Sequence, residues 1–232
     1  MMQFFYSNKI SESLILLDGQ EMIHCTKVLR KKINDCIFVT DGTGQLFYAK
    51  IVKILSDKCE LEILEKTINK NDVDIHLFIS PTKNHKRIDW MIEKIVEVGI
   101  NKVTFILCKN SIRTKINLNR LNKIALSAMK QTQNTFLPII DGCIDFNDIF
   151  KIATSSEKYI AHLNNDNVHL NSILQNKKSR CILIGPEGDF IADEVKTSMA
   201  HGFKEVSLGS SRLRTETAGL VSSIILNLSQ NE

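Results

Sequence analysis

The pattern of apolar and polar positions changes character about a third of the way along the chain. Up to residue 65 the apolar runs are short and of strand length. Ile37-Phe38-Val39-Thr40 is β-branched and aromatic, Asp41-Gly42-Thr43-Gly44 is a turn signal, and residues 46–52 resume a strand-like run. Residues 59–65 alternate apolar with charged side chains, as a half-buried strand does. Short strands at this spacing predict a small β-barrel. Residues 66–72 have no apolar periodicity and read as a linker.

Beyond the linker the period lengthens. Ile75-His76-Leu77-Phe78-Ile79-Ser80 is an apolar run closed by Pro81. Over residues 85–98, Ile88, Met91, Ile92 and Ile95 recur at helical spacing, and Gly99 is the expected C-cap. A strand is predicted over 103–107, a basic amphipathic helix over 118–133 and a strand over 159–163. Cys181-Ile182-Leu183-Ile184 is apolar on both faces and belongs in the middle of a parallel sheet. A short helix over 192–201 carries Asp193 and Glu194 in its first turn, where negative charge suits the helix dipole. Residues 205–208 are the last strand and 216–228 the last helix. Strands alternating with helices predict an α/β fold with a parallel sheet. The expected division is a small β-barrel over 1–70 and an α/β domain over 73–232.

Composition narrows the class. The 232 residues are 43% hydrophobic and 24% charged, which excludes wholesale disorder. No apolar run approaches the ~18–20 residues of a membrane span. The opening residues lack a basic segment ahead of an apolar stretch, so a soluble cytoplasmic protein is expected. Six scattered cysteines read as buried, reduced thiols, and six histidines without a His-x-x-x-His pair give no reason to expect a metal.

Net charge is only +4, but its distribution is informative. Residues 101–140 hold no acid and seven cations, Arg113 among them; Lys27, Arg30, Lys31 and Lys32 form a second cluster beside His24. One-signed patches of this kind attract a polyanion, and nucleic acid is the expected partner.

Five of the ten glycines lie between 185 and 219. Two glycine loops there follow predicted strands. One is Ile184-Gly185-Pro186-Glu187-Gly188-Asp189; the other runs from Leu208-Gly209 to Arg214-Thr215-Glu216-Thr217-Ala218. Ligands in open α/β sheets sit outside the carboxyl ends of the strands, so both are candidate ligand loops. Neither is a Walker loop or a Gly-x-Gly-x-x-Gly fingerprint. Arg212, Arg214 and Glu216 crowd the entry to an otherwise apolar helix, and charges there need partners or a task.

With Leu183 and Leu213 added, these two loops resemble those of the RsmE family, the 16S ribosomal RNA (uracil-N3)-methyltransferases of the SPOUT superfamily. The resemblance runs through the chain: Phe4-Phe5, His24 with Val28-Leu29-Arg30, the Asp41–Gly44 turn, Lys83, and Glu93-Lys94 with Glu97 and Gly99. It implies an N-terminal PUA-like barrel that helps hold RNA, and a SPOUT domain with a trefoil knot and a parallel sheet. It implies S-adenosylmethionine as cofactor, a homodimer, and 16S rRNA, within the 30S subunit, as partner. Carried onto this chain, Arg214 and Glu216 are the expected catalytic pair. Ile184, Gly185, Glu187, Gly188, Leu208, Gly209, Leu213, Thr217 and Ala218 are the expected cofactor contacts. His24, Lys27, Arg30, Lys31, Lys32, Lys83 and Arg113 are the expected RNA contacts. No metal and no membrane are implied.

Three positions depart from the family pattern. Ser211 stands where arginine is frequent, and Lys130 and Asn134 replace a glutamate and an arginine. The competing readings are a SPOUT methyltransferase acting on another RNA, such as transfer RNA, and an inactive RNA-binding assembly factor. The run Arg214-Thr215-Glu216-Thr217 weighs against the inactive one. A nucleotide-dependent enzyme is disfavoured by the missing Walker lysine.

Overall fold

The computed structural model describes residues 3–71, 73–163, 167–175 and 179–228. The chain divides into two compact units, Met1–Asn71 with Leu126–Leu137, and Asp72–Ala125 with Pro138–Glu232.

The first unit contains β1 (Phe4–Tyr6), β2 (Leu14–Asp18), α1 (Gly19–Ile23), β3 (Cys36–Thr40), β4 (Gln45–Ile54) and β5 (Lys58–Ile68). A π-helical turn, His24–Val28, continues α1. The strands form one sheet in the order β1-β3-β4-β5-β2, antiparallel except where β1 runs alongside β3. Alternate residues of all five strands, among them Phe5, Ile15, Leu17, Val39, Ala49, Ile51 and Leu61, meet in one apolar core, so the sheet curls around it. Two register shifts between β4 and β5 bend it further. Leu126–Leu137 joins this unit through backbone bonds: Gly44 N–H donates to Thr135 C=O (2.9 Å) and Leu137 N–H to Gly42 C=O (2.8 Å).

Two expectations change here. Residues 19–28 are helical, although the first 65 residues read as β. The expected linker begins later, because β5 runs on to Ile68, paired with Gln45. Ladder hydrogen bonds do not require apolar alternation, and Leu64 and Ile68 are exposed. Asp72 lies outside the described residues.

The second unit begins with β6 (Asp74–Ile79), α2 (His85–Val98), β7 (Lys102–Leu107) and α3 (Leu118–Gln131), whose residues from Leu126 on count with the first unit. Then come β8 (Ile139–Asp145), α4 (Ile149–Ile152), β9 (Glu157–Ala161), α5 (Leu170–Ile173), β10 (Ser179–Ile184), α6 (Ala192–Ala200), β11 (Lys204–Val206) and α7 (Thr215–Leu228). The six strands form a parallel sheet, order β11-β9-β10-β6-β7-β8. Strand β10 sits inside it with Cys181, Ile182 and Leu183 fully buried, as its unbroken apolar run requires. Helix α2 spans the predicted residues: Asn84 Oδ1 caps it by accepting from Lys86 N–H (3.0 Å), and Gly99 ends it. Strand β8 was not legible, because its edge position leaves Ile139 exposed and the alternation weak.

Helix α7 is fixed at its far end by buried polar groups. Arg180, 1% exposed, donates to Leu226 C=O (2.5 Å) and lies 3.5 Å from Glu157. The same carboxylate accepts from Tyr159 O–H, whose pKa burial pushes up, and from Gln175 N–H (3.0 Å). Buried charge is tolerable only when paired in this way.

Candidate active site

Ala161, at the end of β9, is in register with both Ile184 of β10 and Val206 of β11. Three strands therefore end side by side, and their exit loops converge. A cavity of about 690 Å³ opens between them, of a size that holds a small organic ligand. The loop after β10 contributes Gly185, Pro186, Glu187 and Asp189. The segment from Val206 to Thr215 forms a second wall, with Ala218 from α7 beyond it. The loop after β9 contributes His162, Leu163, Asn167 and His169.

The two glycine loops are tied together. Thr215 Oγ1, buried, donates to Gly185 C=O at 3.1 Å. Gly209 takes φ +130°, a backbone that side chains resist, and its N–H donates to Ser207 Oγ (3.1 Å). The N–H groups of Leu208, Ser211 and Leu213 bond to no other described residue, so this wall presents free donors.

Glu187 is divided between two environments. Its Oε1 accepts from Lys83 N–H (2.9 Å); its Oε2 is buried without a partner among the described residues. Arg113 steadies the same corner by donating to Thr82 C=O (3.1 Å) and Lys83 C=O (2.7 Å). Lys83 is left exposed, whereas two of the Arg113 donors are spent on backbone. Arg212 reaches Glu187 C=O at 3.4 Å. Arg214 is exposed on the cavity wall, and its side chain pairs with no described residue.

Of the expected cofactor contacts, Ile184, Gly185, Glu187, Leu208, Gly209, Leu213 and Ala218 all line the cavity. Gly188 and Thr217 do not. Gly188 is exposed and turned toward Asn110, whose Nδ2 donates to its C=O (3.2 Å). Thr217 is half-buried in the first turn of α7. Glu216, expected as half of the catalytic pair, does not line the cavity either. It is 5% exposed and lies 3.5 Å from Arg87 Nε of α2, with Oε2 buried and unpartnered among the described residues. Arg214 precedes α7, whose first residue is Thr215, so the pair straddles the start of the helix.

In the first unit, Lys27, Arg30 and Lys32 are exposed and form no ion pair with a described residue. Lys31 is half-buried, near Cys25; His24 is half-buried, its ring tilted against Phe5 at 5.7 Å. The family departures have local partners. Lys130 pairs with Glu21, and Asn134 Oδ1 accepts from Phe136 N–H (3.0 Å). Ser211 is exposed on the cavity wall.

The residues missed from sequence are the loop after β9 and Arg87; Asp189 and Arg212 stand in the two glycine loops but were given no role there. The β9 loop has no motif. Its signal was positional only: a strand beside β10 must deliver its following loop to the same edge.

A family model described as an RNA methyltransferase domain matches residues 69–227, and one described as an RNA methyltransferase PUA domain matches residues 17–64. Fold and site together thus define an RNA methyltransferase with a PUA domain ahead of it. Ribosomal RNA small subunit methyltransferase E 2 of Borreliella burgdorferi is 30% identical over 88% of this chain and 87% of its own length. The probable rRNA-methyltransferase from Porphyromonas gingivalis is 34% identical, with a TM-score of 0.92 over 99% of each chain. The Neisseria gonorrhoeae ribosomal RNA small subunit methyltransferase E bound to S-adenosyl methionine is 26% identical, with a TM-score of 0.87 over 99% of this chain and 98% of that one. The chain belongs to the ribosomal RNA small subunit methyltransferase E family.

Proposed function

We propose that this chain transfers a methyl group from S-adenosylmethionine to N3 of one uridine in 16S ribosomal RNA. The observation that carries this reading is the cavity at the ends of β9, β10 and β11, with Arg214 on its wall and unpaired among the described residues. The cavity's own chemistry suits the cofactor. Leu213, Ala218 and Val206 give an apolar wall, and the free N–H groups of Leu208 and Leu213 suit the edge of an adenine. Oε2 of Glu187 lacks a donor among the described residues, which a ribose hydroxyl supplies.

When bound, S-adenosylmethionine supplies an electrophilic methyl group on a sulfonium. The chain has to make the acceptor nucleophilic. Uracil N3 is a neutral imide at pH 7, and each unit by which its acidity is raised is worth about 1.4 kcal/mol. Arg214 stabilises the imide anion: its guanidinium is permanently charged and planar, and it carries spare donors. Glu216 pairs with Arg87 at the first turn of α7, and the N3 proton passes to solvent as the imide ionises beside Arg214. Lys27, Arg30 and Lys32, unpaired among the described residues, with Lys31, His24, Lys83 and the remaining donors of Arg113, hold RNA phosphates.

On this reading residues 1–70 hold RNA and residues 73–232 carry the chemistry, with the glycine loops threading the trefoil knot. The working form is a homodimer on RNA of the 30S subunit; Trp90 of α2, 42% exposed beside Arg87, suits such a contact. A cytoplasmic location follows from that substrate. No described helix is long and apolar enough to cross a membrane.

The test uses 30S subunits from a strain lacking the gene, the protein, and S-adenosylmethionine with a labelled methyl group. Labelled 3-methyluridine in the digested RNA is the expected result. A different labelled nucleoside moves the target base. No label, with no cofactor binding by calorimetry, favours the inactive RNA-binding factor.

A further inference from the structure

Asp189 is one of four described non-glycine residues with a positive φ, at +63°, and the only one of them on the cavity wall. Aspartate tolerates this backbone better than most residues but is still strained by it, and such strain persists where the surroundings enforce it. The surroundings here are three strand-exit loops. Asp189 N–H donates to Pro186 C=O (2.9 Å), closing a tight turn after β10. Its Oδ2 accepts from Leu163 N–H (2.9 Å) in the loop after β9. Its Oδ1 accepts from Phe190 N–H (2.8 Å). From the other side Asn110, in the loop after β7, donates to Asp189 C=O (3.0 Å) and to Gly188 C=O (3.2 Å). Both carboxylate oxygens are therefore engaged by backbone, and the side chain joins the β10 loop to the β9 loop that forms the opposite part of the cavity wall.

We infer that Asp189 is the positioning residue that sets the width of the cofactor cavity, by clamping the loop after β9 to the loop after β10. Without its Oδ2, nothing among the described residues accepts from Leu163 N–H, and Leu163 loses its fixed distance from Gly185 and Glu187. The inference rests on the cavity being the S-adenosylmethionine site. Acting through hydrogen bonds to backbone, Asp189 affects every ligand of the cavity alike. Acting through charge, it would favour the cationic sulfonium of S-adenosylmethionine over the neutral thioether of S-adenosylhomocysteine.

The experiment is calorimetric titration of the full-length protein and two variants with each of these ligands, alongside thermal melts. Asp189→Gly removes the clamp while relieving the backbone, so the fold stays intact and the melting temperature does not fall. It is expected to weaken both ligands by about tenfold and by equal factors. Asp189→Asn keeps an acceptor, tolerates the same backbone and loses the charge; it is expected to bind both within about threefold of wild type. Wild-type affinity in Asp189→Gly overturns the inference. So does a loss confined to S-adenosylmethionine in either variant, since that makes Asp189 a charge contact. If the unaltered protein binds neither ligand, the cofactor reading fails, and this inference with it.

Discussion

Arg214 and Glu216 stand two residues apart and meet opposite surroundings. Arg214 has no partner among the described residues and faces the cavity, whereas Glu216 is buried against Arg87. Arg214→Ala is expected to lower methyl transfer by about 10²–10³, as loss of one transition-state donor does, with cofactor affinity and melting temperature unchanged. A calorimetric Kd beside single-turnover kinetics checks this. Glu216→Gln keeps the shape and an acceptor for Arg87, so it is expected to stay within about tenfold of wild-type turnover, while Glu216→Ala loses more. A glutamine variant as inactive as Arg214→Ala would restore Glu216 as the base. His76 offers a test on stability. Burial, with help from Lys102, lowers its pKa from 6.5 to about 3; its ring is hydrogen-bonded to Thr104 Oγ1 at 2.7 Å and stacked on Phe78. The folded state keeps it neutral while the unfolded state takes up a proton below pH 6.5. This stabilisation is complete above pH 6.5 and is lost as pH falls toward 3, by at most about 1.4 kcal/mol per pH unit. His76→Gln should flatten the urea-unfolding free energy across that window relative to wild type.

At the scale of elements, the site depends on how α7 meets the sheet. Its first residue, Thr215, carries the bond to Gly185 that joins the two glycine loops. Thr215→Val removes that bond at constant shape and should cost about 1 kcal/mol of stability, with a weaker cofactor Kd. Midway along α7, a Cβ on Gly219 would lie 2.7 Å from Ile79 Cδ1 and 3.1 Å from Met91 Sδ. Both are flexible side-chain ends, so Gly219→Ala should fold, its better helix propensity offsetting the crowding to within about 1 kcal/mol. Gly219→Val adds two methyl groups to the same contact and should lower the melting temperature markedly. Sequence pattern reached this level for most elements. The helix over 85–98 was legible because its apolar spacing, its cap and Gly99 agree. The helical stretch 19–28 was not, because it is short and shows only Met22 and Cys25 to the core. Its hydrophobic period never completes a second turn.

For the whole molecule, charge is the long-range term. The exposed Lys27, Arg30 and Lys32, with Lys31, sit together on the first unit. Reversing Lys31 and Lys32 to glutamate should weaken RNA binding at low salt and reduce the slope of log K against log salt by about two. Filter binding across a salt series reads both, and unaltered binding would put the RNA on another surface. Leu126–Leu137 belongs to the same unit although more than fifty residues separate it from Asn69, its nearest bonded neighbour in the first segment. Linear pattern could not assign it, because its bonds to Thr40, Gly42 and Gly44 are backbone and hydroxyl contacts without sequence periodicity.

By itself the sequence determined the order of β and α/β regions, the central strand and the two glycine loops, with Arg214 between strand and helix. Each is encoded locally, in the period of apolar residues or in the residue types a turn admits. Only the tertiary structure decided which groups share the cavity. Parallel pairing brings Ala161, Ile184 and Val206 to one edge, and with them a β9 loop that no motif marks. The turn of α7 sends Glu216 to Arg87 and away from the wall, and the Asp189 carboxylate joins two loops distant in sequence. These outcomes depend on register and helix phase, which arise when separated segments pack and have no counterpart in the order of residues.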